Sequence, residues 1–113
     1  MEAIFVELPV FEKYRAEYLT DEQFHQLQMM LLEDPLCGDV LKHTGGLRKI
    51  RFKDERRNKG KRGGLRVVYY WWSDEGVFYL FTLFDKDEMS DLTKPQLEML
   101  SRVLEQIKKR TDK

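Results

Sequence analysis

LRVVYYWWSDEGVFYLFTLF, residues 65–84, is the stretch that decides the fold. Leu65 to Trp72 is built of β-branched and aromatic residues, which suit a pleated, half-buried surface. SDEG, residues 73–76, is turn chemistry, so the two flanking runs read as a β-hairpin. The second run, Val77 to Phe84, is apolar on both faces and belongs centrally in a sheet. Strand alternation puts Arg66, Val68, Tyr70 and Trp72 on one face of the first run. Val67, Tyr69 and Trp71 point the other way.

Upstream of the hairpin, LRKIRFK (residues 47–53) alternates as a strand. Ile50 and Phe52 point to one side, and Lys49, Arg51 and Lys53 to the other. DERRNKGKRGG (residues 54–64) is a loop rich in charge and glycine. Near the start, AIFVEL (residues 3–8) is a short strand ended by Pro9. PVFEKYRAEYL then carries Phe11, Tyr14 and Tyr18 on one helical face. Thr20 and Gln23 have capping-box spacing, so a second helix starts there, with Phe24, Leu27, Met30 and Leu31 as its apolar face. Pro35 and Gly38 stop it, and the closely spaced helices form an αα-hairpin.

Downstream, DKDEMSDL (residues 85–92) is a polar linker. Thr93 and Gln96 repeat the capping-box pattern, and Pro95 sits in the first turn, where no donor is needed. Leu97, Leu100, Val103, Leu104 and Ile107 make an apolar stripe. Lys108, Lys109 and Arg110 suit the C-terminal end of the helix dipole. The order is β-α-α-β-β-β-α. That is an α+β fold: one domain over residues 1–113, a mainly antiparallel sheet packed against an αα-hairpin, and a C-terminal helix.

The apolar fraction is 42% and the aromatic fraction 12%, which excludes a disordered chain. The sequence lacks the long apolar run of a transmembrane helix, and its N-terminus lacks the features of a signal peptide. Cys37 is the one cysteine, so no internal disulfide forms and a reducing cytoplasm is the expected location. The net charge is zero but segregated. Residues 42–66 hold eleven basic residues against two acidic, a net of +9, and the other 88 residues carry −9. Local density, not total charge, sets the field that a polyanion meets.

Cations on one face of a strand form a row of donors spaced about 6.6 Å apart, close to the spacing of successive phosphates. Counterion release makes such binding strong and salt-dependent, and neighbouring aromatics can stack on unpaired bases. No His/Asp/Cys cluster has metal-ligand spacing, so no metal or other cofactor is expected. His25 and His43 lie outside the strand cluster. For Trp71 and Trp72 core packing outweighs base stacking. Cys37 reads as a small hydrophobe in a turn, His43 as a loop residue, and Arg56 and Arg57 as solvated charges.

GGLRKIRF (45–52), KGKRGGLRVVYYW (59–71), FYLFTLF (78–84) and KDEMSDL (86–92), in this element order, resemble the RelE/ParE superfamily of bacterial toxins. The resemblance spans roughly residues 3 to 110 and is nearest to the HigB-type branch of type II toxin–antitoxin systems. It implies a ribosome-dependent mRNA endonuclease that cuts in the A site by metal-independent 2′-OH attack, inhibiting translation. By resemblance, Lys49 and Arg51 match a general base and a phosphate contact. Arg66 matches the Arg that stabilises developing charge, and Lys86 a further functional cation. Arg48, Lys53, Lys59, Lys61, Arg62, Tyr70 and Trp72 are the expected RNA- or ribosome-binding residues.

Thr93 stands where RelE has a tyrosine and Asp87 where it has an arginine, so the general acid and base stay open. The implied partners are a cognate HigA-like antitoxin with a helix-turn-helix DNA-binding domain, the 70S ribosome, mRNA and 16S rRNA. Operator DNA is reached only through the antitoxin, and no membrane partner is expected. Two alternatives remain: a ParE-like, non-enzymatic inhibitor of DNA gyrase, and a basic RNA-binding relative without catalysis.

Overall fold

The computed structural model describes residues 2–52 and 64–111. Across them the chain runs β1 (Ile4–Glu7), α1 (Pro9–Tyr18), α2 (Asp21–Glu33), β2 (Asp39–Val40), β3 (Arg48–Phe52), β4 (Leu65–Trp72), β5 (Val77–Asp85) and α3 (Lys94–Thr111). The strands form a five-stranded sheet in the order β1-β5-β4-β3-β2. Only the β1–β5 pairing is parallel. The expected hairpin is β4–β5. Its turn closes with the Gly76 N–H on the Trp72 carbonyl at 2.9 Å, and Gly76 adopts φ 67°, which favours glycine.

β5 lies inside the sheet, as its two-sided apolar run requires, and it serves two cores. Phe78 and Leu80 join Phe11, Leu19, Leu27 and Leu31 beneath the α1–α2 hairpin. Phe81 and Phe84 join Leu47, Val68 and Leu104 beneath α3. The β4–β5 register slips between Val68 and Tyr69: Val68 faces Thr82, but Tyr69 faces Leu80. This bulge shifts the side-chain phase of β5. Leu83 therefore returns to the hairpin side.

The helix starts follow their local chemistry. Thr20 caps α2 with a full capping box: Gln23 N–H to Thr20 Oγ1 at 3.1 Å, and Thr20 N–H to Gln23 Oε1 at 2.8 Å. The same reciprocal bonds join Thr93 and Gln96 at 2.8 and 3.3 Å. Pro9, read as the end of a strand, is also the first residue of α1. The α3 stripe is narrower than expected. Leu104 is buried and Leu100 and Ile107 pack partly, while Val103 is 37% exposed. Val103 lies about 100° around the helix from Leu104, off the line of contact with the sheet.

β2 was not expected, since residues 35–38 read only as a helix stop. The Tyr69 hydroxyl donates to the Pro35 carbonyl at 2.7 Å and accepts from the Gly38 N–H at 3.0 Å. The Arg48 guanidinium donates to the carbonyls of Gly38 at 2.7 Å and Leu36 at 3.2 Å. The turn is thereby held against the sheet, and the chain leaves it as an edge strand. Gly38 packs so closely that a Cβ there would lie 2.6 Å from Ile50 Cγ2 and 2.9 Å from Tyr69 Cε1. Burial pushes the Tyr69 phenol well above its ordinary value, so it stays a donor.

Removing that hydroxyl strands the buried Gly38 N–H. Tyr69→Phe should therefore lower the unfolding free energy in urea by about 1–3 kcal/mol. An unchanged urea midpoint would mean that the turn is held by Arg48 alone.

Candidate nucleic-acid interface

The antiparallel pairing of β3 with β4 sets Arg51 directly opposite Arg66 and Lys49 opposite Val68. Alternation sends Ile50 and Phe52 into the core under the helical hairpin. Lys49, Arg51 and Arg66 therefore share the other face, the one on which α3 lies. α3 covers part of that face, through Val68, Phe81, Phe84 and Leu47. Arg51 remains exposed, while Lys49 and Arg66 are half-buried.

Opposed residues on an antiparallel pair have Cα atoms about 4.5–5.5 Å apart, so the Arg51 and Arg66 side chains leave the strands side by side. Like charges directly opposite destabilise a sheet. The arrangement is kept where an anion can neutralise it.

Part of that neutralisation is internal. Lys49 Nζ donates to Asp91 Oδ1 at 2.8 Å, and the Leu92 N–H donates to the same oxygen at 2.8 Å. The Lys49 hydrogen bond holds the Asp91 carboxyl below the usual carboxylate range. Burial opposes it, and the Leu92 N–H and the Arg66 charge add to the lowering. Sequence reasoning missed Asp91. It belonged to a linker read as merely polar, and 42 positions separate it from Lys49. The acidity of residues 85–91 beside a cationic strand was the one available signal.

The same linker is tied to the helical hairpin. The Tyr18 hydroxyl donates to Glu88 Oε1 at 2.5 Å, and that carboxylate pushes the phenol up to about 12. Lys86 follows β5. Its N–H donates to the Gly64 carbonyl at 2.7 Å, extending the β4–β5 ladder, and its side chain is exposed. Its backbone is thus at the same end of the sheet as Arg51 and Arg66.

Other expected residues lie elsewhere. The Arg48 guanidinium is on the opposite face, bound to the carbonyls of Leu36 and Gly38. Tyr70 and Trp72 share the face of Arg66, but strand geometry sets them about 13 and 20 Å along it. There they form an aromatic group: Tyr70 edge-on to Trp72 at 6.0 Å, and Trp72 tilted to Tyr79 at 6.5 Å. Lys108 of α3 lies over the Tyr70 ring at 5.1 Å and donates to the Gly45 carbonyl at 2.7 Å. Burial raises the Tyr70 phenol.

Lys53, Lys59, Lys61 and Arg62 lie outside the described residues. His25 is exposed on α2, and His43 holds φ 63° in the β2–β3 turn. Among the described residues, no group of three or more His, Cys, Asp or Glu is placed to hold a metal ion. The arrangement can hold a phosphate between two guanidinium groups and an ammonium, with strong charge-assisted hydrogen bonds.

No family model matches the chain. Solved structures do. Isolated Escherichia coli RelE toxin is 17% identical, with 90% of this chain and 99% of that one covered and a TM-score of 0.53. The E. coli RelBE toxin–antitoxin complex is 18% identical, with 74% and 96% covered and a TM-score of 0.53. A conserved hypothetical protein of Helicobacter pylori is 16% identical, with 78% and 99% covered and a TM-score of 0.54. At these identities the likeness is one of fold: a mixed α+β, RelE-like architecture of sheet, helical hairpin and C-terminal helix.

Proposed function

We propose that this chain is the toxin of a type II toxin–antitoxin system, of the HigB type, and cleaves mRNA in the ribosomal A site. The observation that carries the reading is the convergence of Lys49, Arg51 and Arg66 on one open sheet face. The fold it shares with E. coli RelE adds to it. The reaction is attack of a 2′-OH on the adjacent phosphorus. The O2′–P bond forms, the P–O5′ bond breaks, and the products are a 2′,3′-cyclic phosphate and a 5′-OH.

Each cation has a role in this reading. Lys49, as the neutral amine, aligns the 2′-OH and takes its proton, becoming an ammonium beside the phosphate. Arg51 holds the phosphate, and Arg66 stabilises the charge that builds on its oxygens. The 5′-oxygen collects a proton as it leaves. Exposed Lys86 adds to the cationic surface; Lys53, Lys59, Lys61 and Arg62, outside the described residues, are further candidates for contact with the mRNA backbone and 16S rRNA. The ribosome supplies the remaining alignment, so the site of action is the cytoplasm. A HigA-like antitoxin, which carries the operator-binding domain, neutralises the toxin.

Induced expression should arrest growth, and primer extension should reveal new 5′ ends inside a translated reporter mRNA. Arg66→Ala should slow cleavage about 10²–10³-fold, the usual effect of removing one donor that meets developing charge. Unchanged mRNA ends, together with loss of DNA supercoiling by gyrase exposed to the purified protein, would replace this reading with a ParE-like one. RNA binding that Arg66→Ala weakens, without growth arrest, would leave a binding module.

Co-expression of the small protein encoded beside this chain should restore growth. Persistent arrest would remove the antitoxin from the reading.

A further inference from the structure

The acids at the end of β5 and in the link to α3 have no part in the proposed reaction, yet Asp91 lies against the site. Residues 85–91, DKDEMSD, carry four acids and one base. The run is anchored along its length. Asp85 accepts the Asp87 N–H at 2.8 Å, Glu88 accepts the Tyr18 hydroxyl, and Asp91 accepts Lys49. The Asp91 side chain is 61% exposed and that of Lys49 23%. The acid is thus open to solvent while it holds the more enclosed cation.

An ammonium 2.8 Å from a carboxylate oxygen has the geometry it would have with a phosphate oxygen. Arg66 also acts on this carboxylate, lowering its pKa. Asp91 therefore feels two of the three cations that a bound phosphate would feel, Lys49 and Arg66.

We propose that Asp91 is the built-in counterion of the cationic face: its carboxylate holds Lys49 while the site is empty, and an RNA phosphate displaces it. This rests on the RNA reading of the face given above. Lys49 arrives in the free protein already oriented by Asp91. The arriving phosphate must break that pair and then lies near an uncompensated carboxylate. Asp91 thus weakens occupancy by stray polyanions and limits tight binding to ligands that engage Arg51 and Arg66 as well.

Asp91→Asn removes the charge and keeps the acceptor for the Leu92 N–H. The probe is a short single-stranded RNA carrying 2′-O-methyl groups, which cannot be cleaved by 2′-OH attack, read by fluorescence anisotropy. Asp91→Asn should bind it about two- to fivefold tighter, the range of an exposed ion pair. Its salt dependence should be steeper by up to about 0.7 in log–log slope, because Lys49 no longer exchanges one anion for another. Glu88→Gln, which removes a linker charge held by a phenol instead of a cation, should stay within about twofold of wild type.

Weaker or unchanged binding by Asp91→Asn, with wild type binding the RNA, overturns the counterion role and leaves the RNA reading standing. Equal tightening by Glu88→Gln also overturns it, since bulk charge would then be the cause. Failure of wild type and both variants to bind the RNA overturns the counterion role, and the RNA reading then stands or falls on new 5′ ends in the reporter mRNA.

Discussion

The structure depends on one slip of register. A regular β5 would send Phe78, Leu80, Thr82 and Phe84 to one side. The bulge opposite Val68 and Tyr69 breaks that rhythm, so Phe78, Leu80 and Leu83 serve the hairpin core while Phe81 and Phe84 serve the core under α3. A central strand that fills two cores must be apolar on both sides, and VFYLFTLF is. The sheet then has helices on both faces, and the end of the α3 face that α3 does not cover is open to charge.

That uncovered end is where the cations gather. Arg51 opposite Arg66 is an arrangement that folding alone would not select, because like charges across a ladder cost stability. Solvent screens exposed Arg51, and the Asp91 carboxylate lies near enough to Arg66 to feel its charge. The contrast with Arg48 makes the point. One residue along from Lys49, on the opposite face, its guanidinium is spent on the carbonyls of Leu36 and Gly38. Charge density in the segment therefore overstates the charge that a ligand meets.

Most of the architecture was legible because its determinants are local. The capping boxes at Thr20 and Thr93, the SDEG turn and the alternation of LRKIRF each act within a few residues. What escaped depends on contacts distant in sequence. β2 exists because Tyr69, 31 positions away, accepts from the Gly38 N–H. The exposure of Val103 reflects the line along which α3 meets the sheet. At the candidate site, alternation alone put Lys49, Arg51 and Arg66 on a common face. The Lys49–Asp91 pair required three dimensions.

The β3–β4 ladder also separates two kinds of heritable change. Arg51 faces Arg66 because of strand pairing, and twelve residues of sequence lie between the two strands. The entropic cost of closing a connection grows slowly with its length, by about 0.6 kcal/mol per doubling. Insertions, deletions and charge changes between Phe52 and Leu65 can therefore accumulate while the paired guanidinium groups stay in register. A lineage carrying this fold can change the length and charge of that connection without rebuilding the paired face. A protein engineer has the same freedom.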